Sequence, residues 1–155
     1  MNFKYDSYCG LYCGACEILL MNELGRIEEK AKEWSMNLSD VKCFGCKTNQ
    51  NSIYCVDCDI KYCAESKDIE FCSECNKFPC SRISGFRSDK YPHHSVVLKN
   101  LNTIKDKGLI YWLVEQEKRW KCSQCGLKFT WYEEVCSNCR KKLDNCKSEE
   151  KKLEI

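Results

Sequence analysis

The chain has 155 residues, a formal net charge of +2 and sixteen cysteines, above the roughly 8–10% cysteine at which sulfur replaces a large apolar core as the organiser of a scaffold. The first residues, M-N-F-K-Y-D-S-Y, carry an Asp and no apolar run, which argues against a signal peptide and for the cytoplasm, where thiols stay reduced. No apolar stretch approaches the roughly 18 residues of a membrane span, the longest being I-L-L-M at 18–21 and G-L-I-Y-W-L-V at 108–114, so a membrane protein is not expected.

Reduced, densely spaced thiols read first as metal ligands. Six C-x2-C steps support this: Cys13/Cys16, Cys43/Cys46, Cys55/Cys58, Cys72/Cys75, Cys122/Cys125 and Cys136/Cys139. Two intervening residues let both sulfurs of one tight turn reach the same ion.

In chain order, the first feature is C-G-L-Y-C-G-A-C at 9–16. Its C-x3-C-x2-C spacing is the one that holds a four-iron cluster in radical enzymes, with one iron left open. Only eight residues precede Cys9, and no alternation of strand and helix follows from which a parallel barrel could be built. Radical chemistry is therefore not expected, and a nucleophilic cysteine enzyme is disfavoured because nearly every thiol is committed to a C-x2-C step.

After this motif, Leu24, Ile27, Ala31 and Trp34 recur at helical spacing with charges between them, predicting one amphipathic helix that covers the metal sites. Cys43/Cys46 come next, then an internal repeat. C-V-D-C-D-I-K-Y-C at 55–63 and C-S-E-C-N-K-F-P-C at 72–80 share the form C-x2-C-x4-C and read as a duplicated metal knuckle.

The eleven cysteines of residues 1–92 do not divide evenly into four-ligand sites. Two such sites leave three thiols, and three sites need one more ligand. His93 or His94 can supply it, one cysteine can bridge two ions, or one site can keep an open position.

Residues 93–119 contain no cysteine and read as a helix pair. In the first helix Val97, Leu101 and Ile104 share a face, Lys105 and Lys107 sit in the last turn, and Gly108 is placed to end it. The second starts at Leu109 and aligns Ile110, Leu113 and Val114, with Glu115, Glu117, Lys118 and Arg119 outward.

Residues 120–142 form a separate unit, in which C-S-Q-C-G at 122–126 and C-S-N-C at 136–139 present four sulfurs from two turns, the pattern of a zinc ribbon. Gly126 is placed for a left-handed backbone that turns amides toward the thiolates. Lys121, Lys128, Arg140, Lys141 and Lys142 surround it, with Phe129, Trp131 and Tyr132 between the knuckles. Such a surface can hold a nucleic acid, although in a ribbon this small aromatics usually make the core and lysines a solvated face. Residues 143–155 read as a charged tail that frays, with Cys146 as a free thiol.

The motifs at 9–16, 43–46, 55–64 and 72–80, together with the later G-L-I-Y-W-L-V-E-Q-E-K-R-W-K-C-S-Q-C-G at 108–126, resemble a cysteine-rich bacterial and archaeal family carried as domain of unknown function 3795. The second group of residues resembles its longer members with a terminal ribbon. The resemblance implies a metal-binding protein presumed to bind zinc, and supplies no reaction, substrate or catalytic residue.

The resulting expectation is a small, metal-stabilised α+β protein: an irregular cysteine-rich region over 1–92, the helix pair and a C-terminal zinc ribbon. Several zinc ions per chain would be held by Cys9, Cys13, Cys16, Cys43, Cys46, Cys55, Cys58, Cys63, Cys72, Cys75, Cys80, Cys122, Cys125, Cys136 and Cys139. The functional reading is a noncatalytic binding or adaptor module with a protein partner. The alternative is an iron-sulfur protein with a [4Fe-4S] cluster on Cys9, Cys13, Cys16 and a fourth thiol, for which Cys80 is the candidate.

Overall fold

The computed structural model describes residues 2–153, about half of them helical. In chain order the helices are α1 (Glu17–Glu23), α2 (Ile27–Glu33), α3 (Leu38–Val41), α4 (Ile53–Val56), α5 (Asp59–Ser66), α6 (Ser81–Arg87), α7 (Val97–Lys107), α8 (Leu109–Arg119) and α9 (Cys146–Lys152). Single 3-10 turns occupy Cys13–Ala15, Cys72–Glu74 and Pro92–His94. Against the α+β expectation, β pairing among the described residues is limited to two isolated antiparallel bridges, Lys121 with Lys128 and Val135 with Lys142. No described helix is long and apolar enough to cross a membrane.

The helix expected across 24–34 begins only at Ile27, because Leu24 and Gly25 belong to the turn that ends α1. Gly25 adopts φ +68°, and the Arg26 and Gly25 amides donate to the Met21 and Asn22 carbonyls at 2.8 and 3.0 Å. This double bond closes α1 and re-aims the chain before α2 begins. Leu24 is consequently left 55% exposed, while Ile27 and Ala31 are buried as the spacing required. They pack with Ile18, Val41 and Cys43 in a small apolar cluster.

The larger cluster joins both ends of the chain. It includes Tyr12, Ala15, Phe71, Ile83, Leu101, Trp112, Trp120 and Phe129. Val97, Leu101 and Ile104 of α7 are buried in it, and Gly108, at φ +90°, ends the helix by donating to the Ile104 carbonyl. In α8 the face differs from the expected one: Trp112 is 1% exposed, whereas Ile110 is 73% exposed and Val114 also faces out. The run L-I-Y-W-L-V is apolar all round, so periodicity alone does not choose a face. The choice falls to Trp112, the largest ring, which meets Tyr12 edge-on at 6.0 Å between centroids, with Leu109 and Leu113 beside it.

The tail also departs from expectation. Asn145 caps α9 by accepting a hydrogen bond from the Ser148 amide at 3.2 Å, Arg119 pairs with Glu149 at 3.2 Å, and Cys146 is buried and free. Residues 154 and 155 lie outside the described part.

Candidate metal centre

The two C-terminal knuckles repeat one local geometry. In the first, the Cys122 amide donates to the Leu127 carbonyl and the Gly126 amide to the Cys122 carbonyl, both at 2.8 Å. In the second, the Cys136 amide donates to the Lys141 carbonyl at 2.8 Å and the Arg140 amide to the Cys136 carbonyl at 3.0 Å. The residue after the second cysteine of each knuckle has positive φ, +76° at Gly126 and +67° at Arg140. The sequence pointed to this conformation at Gly126; arginine gives no such signal.

These turns bring the Sγ atoms of Cys122, Cys125, Cys136 and Cys139 within 4.8 Å of one another. Cys122 lies 3.5 Å from Cys139 and Cys125 lies 3.5 Å from Cys136. Four sulfurs bound tetrahedrally at about 2.3 Å stand roughly 3.8 Å apart, so the donor set fits one thiophilic cation. The backbone amides of Cys125 and Gln124 lower the Cys122 thiol below its usual value. The Asn138 side chain, aided by the Leu127 amide, lowers Cys125 to about 6. Cys139, although it accepts from the Lys141 amide, is pushed up to about 12 by desolvation and then by the other three sulfurs. The arrangement favours thiolates locally, yet the last proton leaves easily only when a cation replaces it.

The ribbon is fastened to the rest of the chain. The Trp131 amide donates to the Ala15 carbonyl at 3.0 Å, Lys128 pairs with Glu23 at 3.0 Å, and Trp120, Phe129 and Cys136 belong to the main apolar cluster. Lys121 is paired with Glu117 at 2.8 Å. Of the basic and aromatic residues that suggested a nucleic-acid surface, Phe129 is core, Lys121 and Lys128 are in ion pairs, and Trp131 stacks on His93 at 4.1 Å.

All sixteen cysteines are free thiols. Among the described residues, the ribbon quartet is the one set of three or more Cys, His, Asp or Glu that closes within 4.8 Å. Of the twelve others, Cys146 stands apart at the start of α9, and the eleven N-terminal thiols gather more loosely, in two neighbourhoods. In the inner one, burial and then the Cys46 sulfur push Cys13 well above its usual range. Burial raises Cys16 to about 12 despite the Leu19 and Ile18 amides, with Cys43 and Cys55 adding to the rise. Burial and then Cys9 raise Cys46 to about 12, and burial and then Cys43 raise Cys55. Cys9 bridges outward: burial lifts it to about 12 against a Ser7 hydrogen bond, and Cys58 and Cys72 add to the lift.

In the outer neighbourhood, Cys63 of α5, Cys72, Cys75 and Cys80 line one cavity of about 30 Å3. Burial and then Cys80, Cys63 and Cys75 raise Cys72 to about 11. The repeat therefore does not fold as two equal knuckles. Cys63 lines the same cavity as the three cysteines of the second copy, whereas Cys55 and Cys58 do not. The histidines are engaged elsewhere. His93 shares a 2.7 Å hydrogen bond with the Tyr132 hydroxyl, and His94 shares one of 2.7 Å with Asp89 while stacking on Phe86.

Fold and site together define a cysteine-rich protein, small and about half helical, with a four-cysteine cluster near its C-terminus that can hold a metal ion. Residues 5–85 match the family described as "Protein of unknown function (DUF3795)". The match covers more than half of the chain, and the chain belongs to that family. The ribbon quartet lies beyond the matched span. No curated protein and no solved structure matches the chain.

Proposed function

We propose that this chain is a cytoplasmic zinc protein with several structural zinc ions, acting as a noncatalytic binding or adaptor module. The observation that carries the reading is the closed ribbon quartet. Four sulfurs within 4.8 Å supply every position of a tetrahedral ion and leave none for water or substrate. In this reading the two bridges of the ribbon are the β component of a small α+β fold, and the family's cysteines at 9–80 serve as further ligands. A protein partner is favoured by apolar side chains left in solvent on one side of α8, Ile110 and Val114. Nucleic acid is the less favoured partner, because Phe129 is buried, Trp131 stacks on His93, and Lys121 and Lys128 are in ion pairs.

The second reading is an iron-sulfur cluster on Cys9, Cys13 and Cys16. It draws on the buried proximity of Cys9 and Cys13 to Cys46, a better-situated fourth thiol than Cys80, which lines the outer cavity. Anaerobic purification followed by a visible spectrum and metal analysis separates the two. The zinc reading expects a colourless protein with more than one zinc per chain. A brown protein with iron and acid-labile sulfide would replace it with the second.

A further inference from the structure

We infer that Cys63, Cys72, Cys75 and Cys80 form a second four-thiolate site that takes one Zn2+. The inference rests on the zinc reading above and deepens it by assigning four of the eleven N-terminal thiols.

Three local elements converge on the site. Cys63 projects from α5, Cys72 and Cys75 sit on either side of one 3-10 turn closed by the Cys75 amide donating to the Cys72 carbonyl at 3.2 Å, and Cys80 immediately precedes α6. The turn repeats the hydrogen bond of the Cys13/Cys16 pair, where the Cys16 amide donates to the Cys13 carbonyl at 3.0 Å. The sulfurs do not close to 4.8 Å as those of the ribbon do. They instead line, with four other residues, a cavity of about 30 Å3, room enough for a body the size of one water or one ion. Its remaining walls include Ala64, Ile69 and Phe78, which give a water few of the two to four polar partners it requires. Thiolate sulfur suits a soft cation in the same space.

Lys67 adds a second observation of the kind a metal site shows. Its Nζ donates to the Cys75 Sγ at 3.4 Å. Four thiolates around Zn2+ carry a net charge of −2, and an N–H donor to a ligand sulfur disperses it. Each thiol loses its proton on binding. The arithmetic also improves, since taking four of eleven leaves seven for the inner neighbourhood and separates Cys63 from the Cys55/Cys58 pair that the repeat would have kept with it.

The test is alkylation of the zinc-loaded full chain with peptide mapping, on the wild type during stepwise chelation and on Cys63→Ser. The expected result is that Cys63, Cys72, Cys75 and Cys80 become reactive together as one zinc leaves. In Cys63→Ser, Cys72, Cys75 and Cys80 react at once, with one zinc fewer, while Cys55, Cys58 and the ribbon quartet stay protected. Release of Cys63 together with Cys55 and Cys58, or continued protection of Cys72, Cys75 and Cys80 in the variant, would overturn the grouping and leave the wider zinc reading standing. If the variant unfolds, co-release in the wild type decides the matter. Immediate reaction of all eleven thiols in the untreated wild type would overturn both.

Discussion

Ser35 carries φ +54° and Asp68 φ +53°, the left-handed conformation that costs an ordinary residue roughly 1–2 kcal/mol. Both stand where glycine usually does, just past a helix end. After α2 the Met36 and Ser35 amides donate to the Ala31 and Lys32 carbonyls at 2.9 and 3.1 Å, and after α5 the Ile69 and Asp68 amides donate to those of Ala64 and Glu65 at 3.2 and 3.1 Å. The same closure at Gly25 was available to a reader of the sequence as a glycine; at Ser35 and Asp68 it was not, because the geometry is imposed by the two carbonyls that need donors. Ser35 is exposed and loses no packing when shortened. Ser35→Gly is therefore expected to stabilise the chain by about 0.5–1 kcal/mol, with Ser35→Ala giving none of the gain. Denaturant unfolding of the three proteins checks this, and equal midpoints would show that the strain is absent. At Gly45 the constraint is space as well as angle: φ is +124°, and a Cβ would collide with the Lys4 carbonyl. That requirement of the C-F-G-C motif at 43–46 belongs to the fold and not to the cysteines.

At the scale of elements, α7 was legible because Val97, Leu101 and Ile104 lie at i, i+4 and i+7 and the rest of the helix is polar apart from Leu98, which leaves one face to bury. α8 was legible in extent and not in orientation, since six apolar residues in a row offer every face and only the fit of Trp112 against Tyr12 decides. The D-N-C-K-S segment at the start of α9 held a readable capping residue, Asn145, but the helix's docking depends on Arg119 and on the Pro92–His94 turn, contacts that sequence spacing does not reveal. That turn supplies a pH prediction. Burial, and next the neighbouring His94, lower His93 from its usual value to about 3. As pH falls through about 6.5 the unfolded chain takes up a proton that the folded chain refuses until about 3. Stability is therefore lost on acidification within that window, by at most about 1.4 kcal/mol per pH unit for this group. Melting curves from pH 7 to pH 5 are expected to fall less steeply in His93→Gln than in the wild type. Acid release of metal is common to both proteins, so parallel slopes would remove His93 as a cause.

For the whole molecule, sulfur and apolar packing are distributed unevenly. The C-terminal quartet was readable from spacing alone because its four cysteines come from two local turns with ten residues between them. The eleven earlier cysteines were not, because their grouping follows long-range folding: Cys16 lies near Cys43 and Cys55, and Cys63 joins Cys72, Cys75 and Cys80. Repeat symmetry suggested a different partition, and tertiary position prevailed. The two apolar clusters are built directly around these thiols; Cys9, Cys122 and Cys136 are members of one and Cys43 of the other. Under the zinc reading proposed above, metal and core therefore stand or fall together. Structural zinc supplies on the order of 10 kcal/mol per site, comparable with the whole net stability of a domain.

Under the reading proposed above, cations held by thiolates keep this chain folded. The far-UV circular dichroism melt of the purified protein, before and after a strong chelator strips its metal under reducing conditions, checks this. Stripping is expected to abolish most of the helical signal or the cooperative transition, and added zinc to restore both. An unchanged spectrum and an unchanged Tm in protein shown to be metal-free would contradict it.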